Sequence, residues 1–429
     1  MTRLSLSNIR LDDKDMSVLS DALRTDVRIK ALTFDNCEMG AAGIVHLAGA
    51  LRENSRLEEL NLVGSHIGTI AAAALSEMLR GNASLLRLGL RQSGIGNDGV
   101  GLLGQGLVVN TRLTHLDLSN NGIGVIGAAS ISEALRFNPC LLHLVLDHNE
   151  IGDLGAVSLG EGLRVNACLR TLQLSANQIG HIGAASLSDA LRVNSSLQDL
   201  HLANNQIGND GAASIGESLL FDGSRLRLLD LADNRIGAQG AVMLVEALRS
   251  NQALVHLDLG ANQIGDAGVV AVSHALHGVS SLTSLALCSN EIDVPGATAL
   301  AESLRLNSSL RLEEIRLANN RIGDAGFGAL CQALGGHASL RRVCVRDNQI
   351  GNAGAGALAG VLQANERLAS VDLSHNVIGD EGAAALGPSL HGNASLAWLD
   401  VRGNRMSAAG TTLLQSAIRD RPVGCELFV

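Results

Sequence analysis

LHLANNQIGNDGAASIGESL, residues 200–219, decides the fold. A short apolar segment runs into a loop holding Gly208 and Gly211, and a helical pattern follows. A glycine loop between strand and helix is where a nucleotide phosphate often sits on helix N-terminal amides. The alternative is a turn whose backbone simply needs glycine. The rest of the chain separates the two.

The pattern LxxLxLxxNxIGxxGAxxLxxALRxN recurs with starts at 1, 29, 57, 85, 113, 141, 169, 197, 226, 254, 282, 312, 340, 368 and 396. The spacing is 28 residues, with one extra residue before 226 and two before 312. Fifteen repeats leave no room for another domain, so residues 1–429 are expected to form a single repeat domain. The glycine equivalent to Gly208 occurs in twelve repeats and that equivalent to Gly211 in thirteen. A phosphate loop is needed once, whereas this loop is made fifteen times, so it is expected to be structural. No GxxxxGK[ST] occurs, and Lys14 and Lys30 are the only lysines; no nucleotide is expected to bind.

Each position has a physical role. The alternating leucines (Leu116/Leu118, Leu200/Leu202, Leu257/Leu259) predict short strands with one buried face. The following Asn, present in eleven repeats and including Asn121, Asn149, Asn177, Asn205 and Asn376, has donors and an acceptor for backbone groups the turn leaves unpaired. Stacked repeats would line these amides into a ladder. The glycines are expected to turn the backbone at positive φ. Ala184, Leu187, Ala190 and Leu191 fall at helical spacing. A second Asn, as at Asn194, is expected to end the helix in a left-handed conformation.

This pattern resembles the leucine-rich repeat family, in particular its ribonuclease-inhibitor-like class with 28-residue repeats and full helices. The resemblance covers essentially the whole chain and implies an α/β solenoid, a horseshoe with a concave parallel β-sheet and convex α-helices. Curvature also follows from spacing: strands stack at about 4.8 Å and helices at about 8–10 Å, so the helical side must splay. The first repeat, 1–28, carries Ile9 at the ladder position with Asp12, Asp13 and Asp15 in its turn, and is expected to cap the array. Residues 424–429, GCELFV, place Leu427 and Val429 at strand-leucine positions and are expected to form a closing strand. Repeats two to four carry Cys37, Ser65 and Ser93 in place of the ladder Asn, which makes the N-terminal part less regular.

Composition excludes several classes. Aromatics are 1% of the chain and Gly numbers 49, so Leu, Ile and Ala must fill the core. A formal charge of −10 argues against a general nucleic-acid binder, which needs a basic stripe. The longest apolar runs fall short of the ~20 residues that cross a bilayer, and MTRLSLSNIRLDDKD lacks the apolar core of a secretory signal. Seven scattered cysteines show no metal spacing and suit a reducing compartment, so a cytoplasmic location is expected. Cys140 and Cys168 occupy equivalent positions in adjacent repeats and are expected to be buried thiols rather than a cross-link. The glycosylation sequons at Asn82, Asn194, Asn307 and Asn393 all fall on the helix-ending Asn that the repeat itself demands.

The variable positions within LxxLxLxx should project from the concave face. They carry Asp117, Asp147, Asp199, Asp230, Asp233 and Asp258 with His115, His143, His148, His201 and His256 in the middle of the chain. Arg316, Arg342, Arg346 and Arg402 follow, and Arg87 and Arg91 lie nearer the start, so the signs are segregated along the chain. His115 and His143 should be neighbours with Asp117 nearby, but an open sheet rarely converges the three or four ligands that zinc needs; no metal or other cofactor is expected. Asp230/Asp258 and Asp372/Asp400 should face each other, at some cost to the sheet. That cost fits either a basic partner or a strand pattern that carries Asp for its own reasons. Trp398, the single tryptophan, falls at an outward position in the last full repeat.

A non-enzymatic scaffold binding a protein partner is the expected function, because every recurring residue has a structural role and the variable ones share one face. The partner surface is expected to use Asp199, His201, Asp230 and Asp258, and Arg316, Arg342, Arg346, Trp398 and Arg402, with no nucleic acid, membrane or nucleotide involved. Ribonuclease inhibitors are a poor match: they are cysteine-rich, alternate two repeat types and bind through Trp and Tyr, whereas this chain has no Tyr. The uniform repeat is more similar to the arrays of NOD-like receptors and of Ran GTPase-activating proteins. The second likeness implies GTPase activation as an alternative, although the acidic tail of those proteins is absent from DRPVGCELFV. A structural subunit of a cytoskeletal or ciliary assembly is a third possibility.

Overall fold

The structure is a computed structural model and describes residues 2–221, 223–307, 309–419, 421 and 424–429. Two compact units make up the chain, Met1–Ile207 with Phe221–Leu226, and Gly208–Leu220 with Arg227–Val429. Both are built from the same strand–turn–helix repeat. The described residues form fifteen α-helices, from Asp13–Thr25 to Ala408–Arg419.

In the first unit the strands Thr2–Ser7, Ile29–Asp35, Glu59–Val63, Arg87–Gly89, His115–Asp117, His143–Val145, Thr171–Gln173 and Asp199–His201 pair in parallel and in sequence order. In the second unit Leu228–Asp230, His256–Asp258, Ser284–Ala286, Glu314–Arg316, Arg342–Cys344, Ser370–Asp372, Trp398–Asp400 and Glu426–Phe428 do the same. Equivalent residues stand in register, so a column of leucines such as Leu116, Leu144 and Leu172 runs under the sheet, each almost wholly buried. Each such leucine stabilises by roughly 1.5–3 kcal/mol. The helices meet the sheet through the face the sequence pattern predicts: in His181–Leu191 the buried residues are Gly183, Ala184, Leu187, Ser188, Ala190 and Leu191. The closing strand is present, Glu426–Phe428 pairing with Trp398–Asp400. At the other end Asp12 caps the first helix reciprocally with Asp15.

The asparagine ladder forms. Asn205 donates from Nδ2 to the carbonyls of Leu174 (3.0 Å), Leu202 (2.9 Å) and Ala203 (3.2 Å). Its Oδ1 accepts from the amides of Asn177 (3.0 Å) and Ile179 (2.9 Å), so one side chain joins two repeats. Ser93 keeps only part of this, donating to Leu62 and Leu90.

Three turn features differ from the sequence expectation. First, the left-handed residue common to all repeats immediately precedes the ladder position, from Asn8 (φ 55°) through Ala176 (56°) and Asn204 (54°) to Gly403 (67°). Second, the Gly208-type position alternates between left-handed and extended backbone only from Gly96 to Gly351; Gly68 is left-handed like Gly96, and Gly379 is extended like Gly351. In the first unit Gly96 and Gly152 have φ of 60° and 58°, whereas Gly124 and Gly180 are extended at −101° and −97°. In the second unit Gly265 and Gly323 (60° and 59°) contrast with Gly237 and Gly351 (−92° and −108°). From Gly96 onward the left-handed glycine is followed by Asn or Asp, and that side chain caps the helix of the next repeat: Asp153 accepts from Gly180 (2.8 Å) and Gly183 (2.7 Å), and Asp324 from Gly351 (2.7 Å) and Gly354 (2.8 Å). Between Gly96 and Gly351 an almost uniform sequence therefore folds with a period of two repeats.

Third, the helix-ending Asn is extended rather than left-handed, as at Asn138 (φ −72°, ψ 123°) and Asn166 (φ −67°, ψ 131°). It forms a second ladder instead. Asn194 donates to the carbonyls of Leu163 (2.7 Å) and Asn166 (2.8 Å) and accepts from the amides of Ser196 (3.0 Å) and Leu197 (2.8 Å). These bonds spread the amide between repeats, which a left-handed cap within one repeat would not do. The sequon residues Asn82, Asn194, Asn307 and Asn393 are all buried with their amides donating to main-chain carbonyls, so the folded chain offers none of them for glycosylation.

Candidate functional site

The side chains between the leucines of each strand stand on the open face of the sheet. In the first unit one row runs Arg87, His115, His143, Thr171, Asp199 in register. The His115 and His143 rings stack with centroids 4.2 Å apart and planes 21° apart. Thr114 Oγ1 lies 3.0 Å from the Leu86 carbonyl and 2.8 Å from His115 Nδ1. Thr171 Oγ1 donates to Asp199 (3.0 Å) and lies 3.0 Å from His143 Nδ1, so a hydrogen bond there places a proton on that ring nitrogen. Desolvation, then the neighbouring His143 and Arg87, push His115 down to about 4. Desolvation also lowers His143, against the pull of Asp199. Among the described residues no group of three or more His, Cys, Asp or Glu side chains is placed to hold a metal ion.

In the next row of this unit, Asp117 accepts from the Ser119 amide (2.9 Å). Just past the strand His143–Val145, Asp147 accepts from the Ser175 amide (2.7 Å), and desolvation raises its pKa. His201 lies on the last strand of the unit beside Asp199, half-buried, and its charge acts on Asp147.

In the second unit Asp230 stands opposite Asp258, and Asp372 opposite Asp400, as the register predicts. Each has a local structural use. Asp230 accepts from Ala232 (3.1 Å), Asp258 from Gly260 (2.8 Å), Asp372 from Ser374 (2.9 Å) and Asp400 from Arg402 (3.0 Å). The Asp of the strand thus satisfies the amide two residues on, which gives the pattern a reason independent of any partner. Desolvation raises Asp258, with the charge of Asp230 adding to it and Arg316 opposing.

The arginines do not form a bare basic stripe. Arg316 lies 3.4 Å from Glu314 and 3.9 Å from Asp258, and Arg342 lies 3.2 Å from Glu314. Arg402 forks onto Asp400 and covers the Phe428 ring, its guanidinium 5.0 Å from the centroid. Burial alone pushes Asp400 up, but the Arg402 bonds and the charge of Arg346 together hold it below the usual carboxylate range. Trp398 packs 5.7 Å from Phe428 at 46°, so the end of this sheet presents a Trp–Phe–Arg cluster. Of the sequence-predicted residues, this unit brings Trp398 and Arg402 together through Phe428 and links Arg316 to Asp258 and, through Glu314, to Arg342. Asp199 and His201 belong to the first unit. Phe428, Glu314 and Thr171 were missed. All three occupy outward strand positions, but an unpaired sequence does not show which of them hydrogen-bond or stack.

The leucine-rich repeat family model matches residues 109–132, 137–160, 165–188, 193–216, 226–245, 250–273, 280–301, 311–331, 336–359 and 364–387, more than half of the chain. The chain belongs to the leucine-rich repeat family. The first matched segment begins at residue 109, at the end of the last repeat that lacks the ladder asparagine. Among solved structures, a leucine-rich repeat protein of Leptospira interrogans is similar at 18% identity and a TM-score of 0.52, covering 100% of this chain and 90% of that one. An internalin of Listeria monocytogenes is similar at 20% identity and a TM-score of 0.46, covering 81% of this chain and 88% of that one. No curated protein sequence matches the chain. No helix among the described residues is long and apolar enough to cross a membrane.

Proposed function

We propose that the protein is a non-enzymatic scaffold that binds a protein partner on the open face of its sheet. One observation carries this reading: the recurring polar side chains are consumed by the backbone of their own or the adjacent repeat, as at Asn205, Asn194 and Asp153, whereas the outward strand positions change from repeat to repeat. Such a surface has the composition of a recognition face, with an imidazole–hydroxyl–carboxylate row in one unit and a Trp–Phe–Arg cluster in the other. Trp and Arg are the side chains that most often anchor protein interfaces. The full-length helices of 11–14 residues support placement in the ribonuclease-inhibitor-like class. Seven free cysteines support a cytoplasmic location. The test is capture of partners by wild-type protein and by a Trp398→Ala variant, with bound proteins identified by mass spectrometry. A partner held by wild type and lost in the variant supports this face; identical capture by both removes the aromatic cluster from it.

A further inference from the structure

The helical surface of the first unit carries two exposed apolar rows that the fold does not need. At the C-terminal ends of successive helices stand Val109, Phe137, Val165, Val193 and Phe221, each 28 residues from the last and between 46% and 59% exposed. At the N-terminal ends stand Ile126, Leu154 and Ile182, 69%, 66% and 54% exposed. Between the rows lies a polar strip of Glu133, Glu161 and Asp189 with Arg136, Arg164 and Arg192, equal in acids and bases. In the second unit the C-terminal position holds Ser250, Gly278, Leu306, Gly336, Ala364 and Gly392, so the apolar row is a property of one unit and not of the repeat.

We propose that this helical face is the interface with a second copy of the chain, related by a two-fold axis along the direction in which the repeats stack. Such an axis reverses the helices, which lays the N-terminal row of one copy on the C-terminal row of the other: Leu154 on Val165 of its mate, and Ile126 on Phe137. The two rows lie on opposite sides of the helix middles, so the face is self-complementary, as an isologous contact requires. The charge balance points the same way. A chain of net charge −10 repels its copies, but this strip is locally neutral, and the Glu133–Arg136 pair at 3.6 Å already satisfies part of it. The extent also suffices. Three helices carry both rows, and at about 10 Å apart and about 20 Å long they present roughly 600 Å², the lower end of what each partner contributes to a standard interface. The apolar rows supply the patch that monomers rarely leave bare. Dimerised through its helices, the scaffold keeps both sheets open and presents two partner sites, which raises avidity without new contacts.

Sedimentation of the full-length chain over a concentration series tests this. Wild type should pass reversibly from monomer to dimer. Leu154→Glu and Val165→Lys should each weaken association by about 100-fold or more, because each buries an unpaired charge among apolar side chains. Combined in one chain, they should recover at least about tenfold of that loss, since the two-fold pairs position 154 with position 165 twice. Circular dichroism melting of each variant separates lost association from lost folding, both positions being exposed in the monomer. A wild type that stays monomeric throughout, or a dimer indifferent to the single changes, overturns the proposal. Failure of the combined variant to recover overturns the two-fold pairing.

Discussion

The turn edge of the repeats and the open face of the sheet use the same kinds of polar residue to opposite ends. Along the turn edge Asn177 and Asn205 occupy identical surroundings and spend every donor and acceptor on main-chain groups. A few residues away, the neighbours His143, Thr171 and Asp199 share one register row but no chemistry, and bond to one another. Repetition thus marks where the chain satisfies its own backbone, and the varying positions are the ones we propose for a partner. Substitutions at the first should be read in stability, and at the second in binding.

The largest effect is expected at the ladder. Asn205→Leu strips five backbone groups of a partner inside a buried turn and should cost about 3 kcal/mol. Thermal melting checks this, and a curve unchanged from wild type would break the contrast at its stronger side. The imidazole row should next give a pH signature. His115 is held at about 4 in the fold against an ordinary 6.5, so between those values the unfolded chain binds more protons than the folded one. Stability should therefore be fully present above pH 6.5 and fall as the pH drops towards 4. Denaturant melts across that window should show the fall, reduced in His115→Gln.

The sequence made much of this legible, for physical reasons that also explain the rest. The strand leucines, the ladder amide and the closing strand were readable because one residue type dominates each position. The left-handed position was not, because Asn, Gly, Gln, His, Ala, Asp and Ser all occupy it and no single identity marks it. The alternation of turns was hidden because Gly124 and Gly152 look the same in sequence but adopt extended and left-handed backbones. The residue that follows does not settle it either, since Asn352 and Asp380 follow extended glycines. On the open face the outward residues and the facing Asp pairs were legible from alternation, but the ion pairs of Arg316 and Arg342 needed side-chain positions. The apolar rows of the helical surface passed as part of the helix pattern until burial separated them from the core.

Two smaller effects sharpen the turn-edge account. Asp153→Ala removes a cap supplied to the following repeat and should cost about 1 kcal/mol, detectable as a lower melting midpoint. Ala176→Gly relieves a left-handed alanine at φ 56° and should raise stability by about 0.5–1 kcal/mol, whereas glycine in ordinary extended backbone would lower it.

The central claim is that the open face binds the partner, and charge reversal tests it most directly. Against a captured partner, affinity is measured for wild type, for Asp230→Lys with Asp258→Lys, and for Arg342→Glu with Arg346→Glu, each shown by circular dichroism to be folded. The expected result is loss of about tenfold or more in at least one double variant, with a salt dependence that wild type shows and the variant loses. Equal affinity for all three proteins at every salt concentration would contradict the claim.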